Sequence, residues 1–306
     1  MTRSVDVVIP AHNQRARLAT LIPHLLAWPD IRTIIIGDDA STDEPACAIP
    51  SAPQIRHVRL ARRQGPAAAR AAAWAAGTAP YVLTLDTDAL LDQATLATMC
   101  AALESNALLA AVQPVLRCPD GTLHNAGAAI NADGTTRLLP PPSAPAPPLM
   151  PIAAGCSACA LWRRAAVDRV GGWDPRLWYF EDGDLSWRLR QAGGTVALAT
   201  TCTAIHSWGG TMGRSRSLQR FYRQECGRRQ MLRNNLSGAV LLRQLPQLLR
   251  HELFLAAWSM ARGVTDLGIT RGASLLYPFA FAASLAQVFA APWPACTPES
   301  APSVTR

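Results

Sequence analysis

Two carboxylates one residue apart, Asp86 and Asp88 in the run Leu85-Asp86-Thr87-Asp88, are the kind of oxygen pair that holds a hard divalent cation. A cation so held grips a diphosphate, which makes Mn²⁺ or Mg²⁺ the expected cofactor; the plainer alternative is a turn that caps the next helix. A second acidic run, Gly37-Asp38-Asp39-Ala40-Ser41-Thr42-Asp43, offers Asp39 as acceptor for the donors of a nucleotide base or ribose, while Ser41 and Asp43 suit helix capping. Arg70 follows Gly65-Pro66 among alanines, where close packing lets a guanidinium reach a phosphate or a base. The densest cluster is Gly171-Gly172-Trp173-Asp174 followed by residues 179–190. Within it Glu181, Asp182 and Asp184 exceed what a helix start needs, and Asp182 or Glu181 can take the proton from an attacking hydroxyl. His206, ahead of Ser207-Trp208-Gly209-Gly210, is a further candidate ligand for the cation.

These side chains need a scaffold that brings them to one edge. Short β-rich runs at 5–9, 33–37, 55–60, 81–85 and 110–115 alternate with Ala-rich helical stretches at 15–27, 66–77 and 92–105. That alternation is the pattern of an α/β fold, a Rossmann-like, mostly parallel sheet flanked by helices, in which ligands gather beyond the carboxyl ends of the strands. Asp39, Asp86 and Asp88 follow such strand ends. Further on, a strand is expected over 123–130, helices over 163–170 and 181–192, and a short strand over 203–205 before His206. Seven prolines between Pro140 and Pro151 exclude a regular helix or central strand there and leave a cover over the site or a surface linker.

The 306 residues are 49% hydrophobic, enough for a sizeable core, and the formal net charge is +8. Every basic residue is Arg, and seven of them, Arg214, Arg216, Arg220, Arg223, Arg228, Arg229 and Arg233, crowd one stretch. That stretch suits an anionic membrane surface better than nucleic acid, because few aromatic stacking partners accompany it. Beyond it the chain turns apolar, and 272–296 carries no charge, which fits core packing or an interfacial helix better than a membrane span. Eight cysteines without regular spacing read as reduced thiols, and Cys156 and Cys159 as small core residues. The apolar run at 5–10 is too short for a signal peptide, so a cytoplasmic start is expected.

Taken in order, V-V-I-P-A-H-N, G-D-D-A-S-T-D, A-A-A-R, L-T-L-D-T-D, G-G-W-D-P with Y-F-E-D-G-D-L-S-W-R-L, and I-H-S-W-G-G resemble the family 2 glycosyltransferases of the GT-A fold. The string D-G-T-L-H-N-A-G is similar to the rhamnosyltransferase-like branch in particular. The resemblance implies a catalytic domain over 1–213 and a helical C-terminal region over 214–306, basic and then apolar. It implies that Pro10 and Asp39 border the nucleotide, that Arg70 contacts it, and that Asp86 and Asp88 bind metal and diphosphate with His206 as a further ligand. Asp182, with Glu181 beside it, would serve an inverting displacement, and Trp173, Asp174, Asp184 and Arg188 would shape the sugar and acceptor pocket. The donor would be a UDP- or dTDP-sugar and the acceptor a glycan or a lipid-linked hydroxyl, in cell-surface polysaccharide or glycolipid synthesis at the inner face of the membrane. Arg62-Arg63-Gln64-Gly65 departs from the family pattern, which often has Asn two places before the Gly, and so bears on nucleotide preference. The competing expectation is a noncatalytic protein that binds nucleotide sugars or a membrane surface on the same fold.

Overall fold

The computed structural model describes residues 4–207 and 218–262; Arg214, Arg216, the Gly209-Gly210 pair and the apolar stretch 272–296 lie outside them. In chain order the first elements are β1 (Val5–Ala11), α1 (Arg15–Leu26), β2 (Ile31–Asp38), β3 (Ile55–Arg59), α2 (Pro66–Ala75), β4 (Tyr81–Leu85), β5 (Ala89–Leu90) and α3 (Gln93–Ser105). They are followed by β6 (Leu109–Arg117), β7 (Leu123–Asn125), β8 (Ala128–Ile130), β9 (Thr136–Leu138), β10 (Leu149–Pro151), β11 (Cys159–Arg163), α4 (Arg164–Arg169), α5 (Glu181–Gln191) and β12 (Thr195–His206). Two helices, α6 (Leu218–Asn235) and α7 (Gly238–Arg262), complete the described chain.

The main sheet runs β10-β12-β6-β11-β4-β1-β2-β3. β1 pairs in parallel with β2 and β4, β2 with β3, and β6 with β12. β11 is antiparallel to both β4 and β6, so β6 and β12 recover the direction of the first four strands and the sheet is mostly parallel. Alternation along the strands splits the core in two. Val5, Val7, Ile9, Ile34, Ile36, Leu83 and Leu85 pack on the face that carries Leu18, Ile22 and Leu25 of α1. Val8, Ile35 and Val82 point the other way, onto Ala67, Ala73 and Trp74 of α2 and Leu185 of α5. α2 can lie close to β2 because position 37 is glycine: a Cβ there would sit 2.2 Å from the Ala69 carbonyl oxygen.

Two expectations change. The strand expected over 123–130 divides into β7, paired with β6, and β8, paired with β9. It breaks at Gly127, whose φ of +89° suits glycine and where a Cβ would strike Ile152. The strand expected only over 203–205 is the end of β12, twelve residues long, whose register against β6 shifts between Ala199 and Thr203. The proline-rich stretch includes β10, which pairs antiparallel with β12 at the sheet margin, where a missing N–H is tolerated.

The chain divides into two compact units, residues 1–130 with 136–214, and residues 131–135 with 215–306. In the second, Arg228 donates to the Asp133 carbonyl at 2.6 Å and to Glu225 at 2.9 Å, while Arg229 donates to Glu252 at 2.7 Å. No helix among the described residues is long and apolar enough to cross a membrane.

Candidate active site

The acidic turn after β4 is fixed from two sides. The Asp86 N–H donates to the Ala158 carbonyl, and the two-residue strand β5 then pairs Ala89 with His206 and Leu90 with Ile205. Ser207 adds an N–H bond to the Asp88 carbonyl. This pairing carries the last residue of β12 to the acidic turn: His206 Nε2 lies 3.1 Å from Asp88 Oδ1, and ligand atoms of Asp86, Asp88 and His206 all fall within 4.8 Å of one another. Two carboxylates and an imidazole at this spacing fit a divalent cation of the Mn²⁺ type, and Mg²⁺ by charge. Burial opposes charge on Asp88, but the His206 hydrogen bond, together with the charges of His206 and Arg17, holds its carboxyl below the usual range; Arg17 donates to Asp88 Oδ2 at 3.0 Å. At Asp86 burial instead prevails and pushes the carboxyl up against the pull of Arg70.

Arg70 joins this turn to the start of α5. Its guanidinium donates to Asp86 Oδ1 at 2.8 Å and to Glu181 Oε1 at 2.9 Å, with the side chain only 4% exposed. Burial works against its charge, yet Asp86, Asp182 and Glu181 together hold it firmly protonated. Glu181 is pushed up, first by burial and then by Asp182, with Arg70 resisting. Asp182 accepts the Ser157 N–H through Oδ2 at 2.9 Å, while its Oδ1 is buried and has no hydrogen-bond partner among the described residues. The helix that presents these acids begins after Phe180, held at φ 66°, a left-handed conformation that few aromatic residues adopt.

Asp39 is buried at the end of β2, and its oxygens accept the N–H groups of Gln64 at 2.5 Å and Gly65 at 2.8 Å. It thereby fastens the turn that opens α2. Gly65, at φ +101°, packs beneath Trp178, whose indole a Cβ would meet at 2.7 Å. Pro10 lies next to the end of β1, opposite Gly37.

The structure therefore gathers Arg70, Asp86, Asp88, Glu181, Asp182 and His206 into one chain of contacts. It engages the expected sugar and acceptor residues elsewhere. Trp173 is 2% exposed, wedged between Trp74 and Trp162 at centroid distances of 5.2 and 5.3 Å, and so serves the core. Asp174 pairs with Arg176 at 2.7 Å. Asp184 is fully buried and pairs with Arg188, which also donates to the carbonyls of Val170 and Gly172, so this pair locks α5 to the glycine turn. Arg17, His124, Ser157 and Trp178 join the site without having been singled out in the sequence. Only the placement of His124 inside the D-G-T-L-H-N-A-G string pointed toward any of them.

A mostly parallel sheet with an acidic, metal-competent turn at its carboxyl edge, facing a carboxylate-led helix, defines a GT-A glycosyltransferase fold. The family profile described as Glycosyl transferase family 2 matches residues 6–171, and the chain belongs to that family. It is 28% identical over 210 residues to the pre-mycofactocin glycosyltransferase of Mycobacterium tuberculosis, an alignment covering 67% of this chain and 43% of that protein, so the chain spans less than half the length of its curated relatives. Among solved structures, GalNAc-T7 with UDP, GalNAc and Mn²⁺ superposes with a TM-score of 0.60 at 14% identity, covering 96% of this chain and 58% of that one. The mannosyltransferase PcManGT from Pyrobaculum calidifontis in complex with GDP-Man and Mn²⁺ gives 0.54 at 16%, covering 94% and 75%. S. aureus TarS 1-349 in complex with UDP-GlcNAc gives 0.55 at 16%, covering 85% and 80%. At these identities the likenesses establish the fold.

Proposed function

We infer that this chain transfers a sugar from a nucleotide diphosphate donor, a UDP- or dTDP-sugar, to an acceptor hydroxyl with inversion at the anomeric carbon. The observation that carries this reading is the meeting of Asp86, Asp88 and His206 ligand atoms within 4.8 Å, linked through Arg70 to the acidic start of α5. Those three residues would hold Mn²⁺ or Mg²⁺, which when bound offsets the negative charge that develops on the leaving diphosphate. The solved structures of this fold support this, since they hold UDP, UDP-GlcNAc and GDP-Man, two of them with Mn²⁺.

Asp182 is the base. Ser157 fixes one oxygen by its N–H, which leaves Oδ1 to accept the proton of the attacking hydroxyl. Glu181, pushed up by burial and held by Arg70, spaces the base from the acidic turn. Asp39 borders the nucleotide by holding the turn at Gln64 and Gly65, with Pro10 beside it. Trp173, Asp174, Asp184 and Arg188 then act on the sugar and acceptor pocket from behind, by setting the position of α5 and the glycine turn.

Residues 1–213 form the catalytic domain in this reading and 214–306 a helical region that contacts the membrane. Support for that contact comes from α7, where Leu242 (72%), Leu249 (52%), Leu253 (70%) and Phe254 (61%) are exposed beside Arg243 and Arg250. A lipid-linked acceptor of the rhamnosyltransferase-like branch, used at the inner face of the cytoplasmic membrane, fits this arrangement.

The test is turnover of UDP- and dTDP-sugars by the wild-type chain and by Asp182→Asn. A loss in kcat of about 10²–10⁴-fold with donor affinity retained is expected. Equal turnover by both forms removes Asp182 as base, and donor binding with no turnover by either form favours the noncatalytic reading.

A further inference from the structure

We propose that His124 is a positioning residue that holds the His206 imidazole in the tautomer a cation requires, an assignment that rests on the metal-site reading above. The two rings meet at their Nδ1 atoms, 3.1 Å apart, with centroids 4.6 Å apart and planes inclined at 65°. Only one proton fits between two ring nitrogens at that distance, because two lone pairs or two N–H groups would repel. The opposite nitrogen of His206, Nε2, faces Asp88 Oδ1 at 3.1 Å, where it donates to the carboxylate until a cation takes the place of that proton. A cation takes a lone pair, so a neutral His206 that binds through Nε2 must carry its proton on Nδ1 and donate it to His124. His124 is then the acceptor and keeps its own proton on Nε2.

The position of His124 is built, not incidental. It lies in the three-residue strand β7, which pairs with β6 at Leu116 and Arg117. The next residue, Asn125, accepts hydrogen bonds from Gln113 Nε2 at 2.7 Å and from the Gly127 N–H at 2.7 Å, which clamps the strand just after the ring. Gln113 in turn accepts the Cys156 N–H, so the same network reaches the loop that carries Ser157 beneath Asp182. Through its contact with His206, His124 can therefore set how well the acidic turn binds a metal.

The experiment titrates Mn²⁺ alone into the full chain by calorimetry, with metal-free melting temperatures measured in parallel. His124→Phe and His124→Leu, whichever keeps the wild-type metal-free melting temperature, should bind Mn²⁺ about 10–100-fold more weakly. His124→Asn should recover most of that loss, because its amide oxygen replaces the accepting Nδ1. In the wild-type chain loaded with diamagnetic Mg²⁺, the ring ¹⁵N shifts of His206 should report a protonated Nδ1. An apolar variant that binds Mn²⁺ as tightly as wild type, an Asn variant as weak as the apolar ones, or an unprotonated His206 Nδ1 overturns the proposal. Asp88→Asn separates the two levels: if it too binds Mn²⁺ like wild type, the metal site itself is wrong, whereas loss there without loss at His124 removes only the positioning role.

Discussion

Arg70 shows how one side chain can be both structural and functional. It is almost wholly enclosed, and two carboxylates, Asp86 and Glu181, share its guanidinium. Removing one partner of a buried ionic group leaves the others desolvated and uncompensated. Arg70→Leu should accordingly cost about 3–5 kcal/mol in urea unfolding; a cost no larger than that of a surface substitution would mean that solvent reaches the site. Asp38 makes a pH-dependent contribution for a related reason. Burial raises its carboxyl, but hydrogen bonds from Ser41 and the Arg59 guanidinium, 2.6 Å from Oδ2, outweigh that and hold it below its ordinary value of 3.8. A carboxyl lowered on folding stabilises the protein above its unfolded pKa, and that stabilisation is lost as pH falls through the folded value. Asp38→Asn should therefore be less stable than wild type at neutral pH, and the difference should close below about pH 4 in acid unfolding curves.

At the scale of elements, much of the frame was legible because its signals are local. Strand alternation and the Ala-rich runs marked β1, β2, β3, β4, α1, α2 and α3, and Asp92 marked the start of α3, where its side chain accepts the Thr95 N–H at 2.7 Å. Asp92→Ala should lower stability by about 1 kcal/mol, the usual cost of losing such a cap. Gly37→Ala should cost more, about 1–3 kcal/mol by overpacking, since its Cβ would meet the Ala69 carbonyl; thermal unfolding of the two variants side by side checks the order. What sequence could not display is pairing over distance. β5 is two residues long and has no pattern of its own, yet it brings Asp88 to His206, 118 positions away in the chain. The sequence sets Asp182 and Glu181 apart from Asp184 as proton acceptors but does not show their partners: Glu181 meets Arg70 and Asp182 meets Ser157, whereas Asp184 meets Arg188. The resemblance places Trp173 at the pocket, but the motif that carries it does not show that the ring packs between Trp74 and Trp162.

At the scale of the molecule, the net charge of +8 and the exposed apolar side chains of α7 set the expectation for a surface. Vesicles rich in anionic lipid should sediment the chain, less so as salt rises, and Leu249→Asp with Leu253→Asp should weaken the interaction; equal binding to neutral vesicles would remove the electrostatic part. The central claim concerns the first unit alone: Asp86, Asp88 and His206 together hold a divalent cation through which a nucleotide diphosphate is bound. Calorimetric titration of UDP into the wild-type chain and into Asp88→Asn, each with Mn²⁺ and with chelator, tests it most directly. UDP should bind the wild type only when Mn²⁺ is present and bind Asp88→Asn weakly in both conditions. UDP binding of equal strength with chelator, or undiminished in Asp88→Asn, would contradict it.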